Sequence, residues 1–376
     1  MKVLYITNIP SPYRVDFFNE LGRKCELTVL YESNTASHRN EAWFSKKDLT
    51  YKEIVMKGIK FGKGKVLRTE VIKYLKKFKN DLIIVGGYST ATGMLAINYL
   101  NLYRISFVLN VDGGIVKSEN NFKYKMKKHF ISSATSWLST GDKTDDYLIH
   151  YGAKAESIYH YPFSSIYKHE IIREPLSKKQ KDKIKKKLGI TGDKVVLGVG
   201  SFIPRKNYLV LLRNWGEMDS DVTLCLVGGG PEEDEYKRII FEENLENVLL
   251  VPFQEKEALK EYYLCSDIFV HPALEEIWGL VINEALGMGL PIITTENCVA
   301  GIEVITNSEN GYVVPNNFEA IFNKINILIN DEALVTRINY KNIDKAAKFT
   351  IEEMAKSHYE ISKKLLINLE RQSKKS

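Results

Sequence analysis

Two carboxylates, Glu276 and Glu284, stand eight residues apart in the stretch HPALEEIWGLVINEALGMGLPIITT (residues 271–295), on either side of Gly279. Residues 267–272 read as a short buried strand ending at Pro272. Gly279 permits an unusual turn before the mostly apolar helical stretch 280–286. The first carboxylate then lies in a loop and the second on a helix. The N–H groups of Gly279, Leu280 and Val281 become unpaired first-turn donors, and a helix N-terminus carries partial positive charge that suits a phosphate. Loop, helix start and both glutamates are expected to line one cleft. The plainer reading, two solvated surface acids, is the common fate of glutamates.

Other residues could work with this pair. Arg205 and Lys206 follow the strand-like segment KVVLGVG (194–200), where a forked guanidinium and a compact ammonium are placed to hold a diphosphate. Asp112 ends the strand-like segment 105–111 and precedes Gly113 and Gly114, at the end of a strand where open α/β sheets bind ligands. It reads either as a ligand-facing carboxylate or as a turn-forming Asp. Arg14, after the chain-breaking Pro10-Ser-Pro12, reads either as a phosphate contact or as one half of a structural ion pair.

The elements that must carry these residues alternate strand and helix, as in a nucleotide-binding α/β fold. Strands are expected at residues 2–9, 26–31, 81–85, 105–111, 134–140, 158–162, 194–200, 223–227 and 247–251, with a helix at 90–102. Segments 298–301 and 311–315 are expected to close the second sheet. Residues 1–170 form one domain, the highly charged residues 171–193 a linker with room for one helical piece, 194–350 a second domain, and 351–376 a long helix with a short tail. There is no G-x-G-x-x-G, and Met94 stands where a Walker loop needs Lys, so neither nucleotide fingerprint is present. Asp219-Ser-Asp221 has the D-x-D spelling of a metal site but precedes its strand, so it is read as a turn and no metal is expected.

A chain of 376 residues is long for one core and fits two domains. No stretch approaches the roughly 18 uninterrupted apolar residues of a membrane span, and MKVLYITNIP reads as a strand, not a signal peptide, so export is not expected. The 4 cysteines are far apart with no C-x-x-C, which removes zinc and redox motifs and suits a reduced cytoplasm. The net charge of +6 divides unevenly: residues 1–190 carry +16 and residues 191–376 carry −10. Basic clusters at 63–79, 123–128 and 178–187 read as attractors of nucleic acid or an anionic membrane surface, or as solvated faces.

The pattern Glu276-x7-Glu284, with Trp278-Gly279-Leu280 inside it and Gly289-Leu-Pro291 after it, resembles the donor-site signature of the retaining nucleotide-sugar glycosyltransferases of family 4. It departs from that signature in having Ile277 where Gly is usual and Val281 where Pro is usual. Gly200 to Lys206 resembles the family's phosphate loop, with Ser201 in place of its arginine, and Gly228-Gly-Gly-Pro231 resembles its Gly-rich turn. The resemblance implies a GT-B fold: two Rossmann-like α/β domains whose parallel sheets face an inter-domain cleft, with the C-terminal helix crossing back to the first domain. The first domain takes the acceptor and the second the donor.

The resemblance also implies roles. Lys206 and Arg205 hold the donor diphosphate, with Gly279, Leu280 and Val281. Glu276 orients the hexose, Glu284 accepts from the ribose, and Phe253 and Gln254 meet the base, with a core role left open for Phe253. Asp112 polarises an acceptor hydroxyl, and Arg14, in a segment Ile-Pro-Ser-Pro-Tyr-Arg that resembles the N-terminal loop of a subset of the family, meets a phosphate or the acceptor. The implied activity is metal-independent, retaining transfer of a hexose from a nucleotide-diphosphate sugar, UDP-sugar favoured, to a lipid-linked saccharide. No cofactor and no nucleic-acid partner are expected, and the place is cytoplasmic, peripheral at the inner face of the membrane. A GT-B nucleotide-sugar epimerase and a non-catalytic basic RNA- or membrane-binding protein are the alternatives.

Overall fold

A computed structural model describes residues 1–33, 48–61, 65–77 and 81–373. The chain divides into two units, Met1–Ser164 with Thr350–Ser376, and Ser165–Phe349.

The first unit is built on strands β1 (Lys2–Thr7), β2 (Glu26–Tyr31), β3 (Lys52–Val55), the short hairpin β4 (Ile59–Phe61) and β5 (Lys65–Leu67), then β6 (Leu82–Val85), β7 (Val108–Asn110), β8 (Ser136–Ser139) and β9 (Ile158–His160). Apart from the hairpin they form one sheet in the order β3-β2-β1-β6-β7-β8-β9, every ladder parallel. Parallel strands are covered on both faces, which is why segments such as KVLYIT and LIIV read as nearly continuous apolar runs. The expected helix at 90–102 is Ala91–Leu102, started by Thr90, whose side chain accepts from the Gly93 N–H at 2.9 Å. The C-terminal helix Ile351–Ser373 belongs to this unit and runs into the stretch read as a tail.

The second unit contains β10 (Lys194–Ser201), β11 (Val222–Gly229), β12 (Val248–Val251), β13 (Ile268–His271), β14 (Ile292–Thr295) and β15 (Gly311–Val314), in the order β12-β11-β10-β13-β14-β15. The register sets Ser201 beside Gly229 and His271 beside Thr294. The loops after these strands therefore leave from one edge, the carboxyl edge where such sheets take ligands.

Three expectations change. Residues 171–193 are part of the second unit and not a linker, while the helical piece allowed for there is the helix Lys178–Leu188, with a Ser177/Gln180 capping box and Gly189 at its left-handed end. Within it Lys178, Lys181 and Lys187 pair with Asp193, Asp267 and Glu261 at 2.8, 2.7 and 2.5 Å, so this basic cluster is tied to the unit's own acids. Residues 298–301 open a helix, Val299–Val304, where a strand was expected; Gly301 lies so close to Thr294 that a Cβ there would come within 2.4 Å of its Cγ2. Of the basic cluster at 63–79, residues 63, 64, 78 and 79 lie outside the described residues.

Candidate donor site

Lys206 is set by a single 3-10 turn, Pro204–Lys206, immediately after β10. The turn ends at Asn207 in the left-handed region, φ 58°, and the Asn207 amide donates to Asn316 Oδ1 at 2.9 Å and to the Pro272 carbonyl at 3.3 Å. The loop after β10 is thus fastened to the loop after β13. A second tie is the Leu274 N–H to the Arg205 carbonyl, 2.8 Å.

Glu276 is held from the other side by the start of the helix Val299–Val304. Its N–H donates to the Asn297 carbonyl at 2.9 Å, its carbonyl accepts from the Val299 N–H at 3.1 Å, and the Trp278 carbonyl accepts from the Ala300 N–H at 3.0 Å. First-turn amides that would otherwise lack partners therefore fix the backbone of the carboxylate loop. Trp278 is buried and its indole N–H donates to Asn283 Oδ1 at 2.9 Å, locking the loop onto the helix Leu280–Gly287. Gly279 caps that helix at φ +104°, and a Cβ there would lie 3.1 Å from Cys298 Sγ and 3.2 Å from Glu276 Cγ. Both conformation and space call for glycine.

These ties bring three nitrogens onto one oxygen, Glu276 Oε2: Lys206 Nζ in a short ion pair, Arg205 Nη1 at 3.0 Å and His271 Nε2 at 3.5 Å. The Lys206 and Glu276 side chains are only 10% and 12% exposed, whereas Arg205 is 50% exposed. Burial works against the Glu276 charge, but His271 and Lys206 outweigh it and hold the carboxyl well below its usual range. Burial and the Lys206 charge push His271 down to about 4, so its ring is neutral at pH 7.

Glu284 is on the helix Leu280–Gly287 with partners of its own. The Ser165 hydroxyl donates to Oε1 at 3.1 Å and the Tyr263 hydroxyl to Oε2 at 2.9 Å, while burial pushes its carboxyl up. Phe253 and Gln254 follow the edge strand β12. Phe253 is 46% exposed, which removes the core reading, and the Gln254 amide donates to the Pro252 carbonyl at 3.0 Å in a local turn. Asp219 Oδ1 accepts from the Asp221 N–H at 3.1 Å, the turn expected of that D-x-D.

In the first unit, Asp112 and Arg14 are partners of each other. Arg14 Nη2 makes a short ion pair with Asp112 Oδ2, and the Arg14 side chain is 4% exposed. Of its two readings, the ion pair is the one present. Asp112 Oδ1 accepts from the Asn110 amide and the Tyr161 hydroxyl, each at 2.7 Å. Asp112 is therefore a held carboxylate, 29% exposed, and not a free base. Among the described residues, Asp142, Asp145 and His160 also come together in this unit, with ligand atoms within 4.8 Å of one another.

The expected residues Arg205, Lys206 and Glu276 thus meet, while Glu284 and Gln254 contact other groups and Phe253 is half exposed. His271, Tyr263 and Ser165 were not expected. His271 stood in the quoted stretch, directly before Pro272, and a His at a strand's carboxyl end was the available signal.

Residues 180–348 match the family model for glycosyl transferases group 1. An uncharacterised glycosyltransferase of Haemophilus influenzae is 30% identical over 176 residues, 45% of this chain and 49% of that protein. The N-acetylgalactosamine-N,N'-diacetylbacillosaminyl-diphospho-undecaprenol 4-alpha-N-acetylgalactosaminyltransferase of Campylobacter jejuni is 28% identical over 152 residues, 40% of each chain. The chain thus spans half or less of the length of these curated relatives. Anabaena HepE in complex with UDP superposes with a TM-score of 0.76, covering 99% of this chain and 100% of that one at 17% identity. At that identity the likeness speaks to fold alone, and the fold is GT-B.

Proposed function

We propose that this protein is a glycosyltransferase that moves a hexose from a nucleotide-diphosphate sugar to a hydroxyl of a saccharide acceptor, retaining the anomeric configuration and using no metal. The observation that carries the reading is the convergence of Lys206, Arg205 and His271 on a mostly buried Glu276 beside a glycine-capped helix start, inside the segment that matches the group 1 model. The bond that breaks joins the sugar's anomeric carbon to the diphosphate, so negative charge grows on the leaving oxygens. Lys206, Arg205 and the amides of Leu280 and Val281 supply fixed positive ends for that charge, and one such donor contributes roughly 3–4 kcal/mol to the transition state. The acceptor oxygen bonds to the same carbon from the face the diphosphate leaves, and its proton passes to a departing phosphate oxygen.

The cations occupy Glu276 Oε2, so Oε1 is the atom offered to the hexose hydroxyls. Glu284 takes the ribose hydroxyls, with Tyr263 and Ser165 keeping it oriented. Exposed Phe253 gives the base a flat apolar partner. Asp112, held by Arg14, Asn110 and Tyr161, orients the acceptor hydroxyl. UDP is the favoured nucleotide, a choice supported by the UDP bound to HepE. A lipid-linked acceptor is supported by the diphospho-undecaprenol in the name of the Campylobacter relative and by the +10 charge of residues 1–164. The helix Asn121–Ile131 presents Phe122, 77% exposed, beside Lys123 and Lys125, a pairing suited to an anionic membrane surface.

Thermal stabilisation by UDP-, GDP- and ADP-sugars in the presence of EDTA tests the donor class and the metal independence together. A rise in melting temperature with a UDP-sugar is expected. No shift with any nucleotide sugar contradicts the proposal.

A further inference from the structure

The hydrogen bonds around Asp112 continue inward to the C-terminal helix. The Asn110 amide donates to Asp112 Oδ1 at 2.7 Å and to the Tyr161 hydroxyl at 3.1 Å, and Asn110 Oδ1 lies 2.9 Å from His358 Nε2. His358 Nδ1 lies 2.9 Å from the Met354 carbonyl, one turn back on its own helix. Asn110 and His358 are 2% and 0% exposed, and the imidazole packs between Phe17 and Tyr161, with ring centroids at 4.6 and 4.4 Å. Water has no part in satisfying these groups from outside, so the proton positions follow from donor and acceptor chemistry.

Asp112 sits against the Arg14 guanidinium and offers only acceptors to Asn110. Asn110 must therefore turn its NH2 toward Asp112, which leaves its oxygen facing His358 Nε2. An amide oxygen only accepts, so His358 must carry a proton on Nε2. The Met354 carbonyl asks for a proton on Nδ1 instead, and a ring protonated at both positions is opposed by burial and by Arg14, which push His358 down to about 4. The Asp112 side decides this competition, because the Arg14 ion pair and the Tyr161 hydroxyl hold that carboxylate in place.

We infer that His358 is a positioning residue for the transfer: from the C-terminal helix it holds, through the Asn110 amide, the direction and hydrogen bonding of Asp112 at the carboxyl edge of the first sheet. The inference rests on the reading that Asp112 meets the acceptor. It links a residue far along the chain to a loop with which it shares no sequence motif.

The test begins with the tautomer of His358 in the full chain at pH 7, read by 15N NMR of histidine-labelled protein. The wild-type ring is expected to be protonated at Nε2. In Asp112→Asn the new amide oxygen faces Arg14 and its NH2 faces Asn110, so Asn110 turns over, Nε2 becomes an acceptor, and the ring is expected to switch to Nδ1–H. A wild-type ring protonated at Nδ1 alone, or the same tautomer in both proteins, overturns the coupling.

The second measurement is turnover of UDP-glucose, followed as UDP released. His358→Leu is expected to lower kcat/KM roughly 10- to 100-fold, the scale of misplacing a group by about 1 Å. His358→Gln, whose amide still donates to Asn110, is expected to recover most of it, with the Kd for UDP equal in all three proteins. Wild-type kcat/KM in His358→Leu overturns the positioning role. If the wild-type protein turns over no nucleotide sugar, the proposed activity fails, while the tautomer pair still decides whether His358 and Asp112 are coupled.

Discussion

Replacing Lys206 by Ala removes the least exposed cation of the proposed donor site and leaves Arg205 and His271 on Glu276 Oε2. The effect on chemistry follows from environment. Lys206 is 10% exposed and Arg205 50%, so solvent screens the guanidinium more, and under the proposed mechanism the lysine is expected to carry the larger share of the leaving-group charge. Losing one preorganised donor costs about 100- to 1,000-fold in kcat. The structural cost is smaller. Breaking a buried ion pair costs about 3–5 kcal/mol when one partner is left uncompensated, but here Arg205 stays at 3.0 Å, so on the order of 2 kcal/mol is expected. Steady-state UDP release from a UDP-sugar gives the first quantity and urea unfolding the second. Arg205→Ala is expected to lose about tenfold less in kcat than Lys206→Ala. A Lys206→Ala protein that folds and keeps wild-type kcat refutes the assignment of the leaving-group charge to Lys206.

Gly279→Ala places a Cβ against Cys298 Sγ and Glu276 Cγ at φ +104° and is expected to cost about 1–3 kcal/mol in urea unfolding; an unchanged midpoint would contradict the strained turn. Phe253→Ala leaves stability unchanged, because the ring is already 46% exposed, and raises the Kd for UDP by about 1–3 kcal/mol of lost stacking, read by calorimetry. His271 and His358 each lie near 4, below the ordinary value of 6.5, so the unfolded chain takes up protons first as pH falls. Their contribution is constant above pH 6.5 and is lost between pH 6.5 and 4, by up to about 3 kcal/mol per histidine. Glu276 lies below its ordinary value, so its contribution is held above that value and lost as pH falls past it, in the same direction and at lower pH. Equal urea midpoints at pH 7 and pH 5 would contradict the histidine assignment.

The meeting of Arg205, Lys206 and Glu276 was legible because these residues are local in the chain. Arg205-Lys206 follows one strand directly and Glu276 follows another, and adjacent parallel strands must deliver such loops to the same edge. The partners of Glu284 were not legible, since Ser165 and Tyr263 lie in segments with no motif and reach it only through tertiary packing. His358 was hidden for the same reason: on a helical stripe a buried histidine looks like any core position until its 248-residue separation from Asn110 is closed by folding. The misread segments were short. Residues 298–301 are too few for periodicity to separate strand from helix, and the charge of 171–193 suggested a linker around a helical piece that in the fold is part of the second unit.

Calorimetric titration of UDP into the wild-type protein and into Lys206→Ala, both in EDTA, tests the central claim most directly. Saturable binding with one UDP per chain, weakened at least about tenfold by the substitution, is the predicted result, since one charged hydrogen-bond donor to phosphate accounts for about 1.5–3 kcal/mol. Absence of binding to the wild-type protein, or equal affinity in the two proteins, would contradict it.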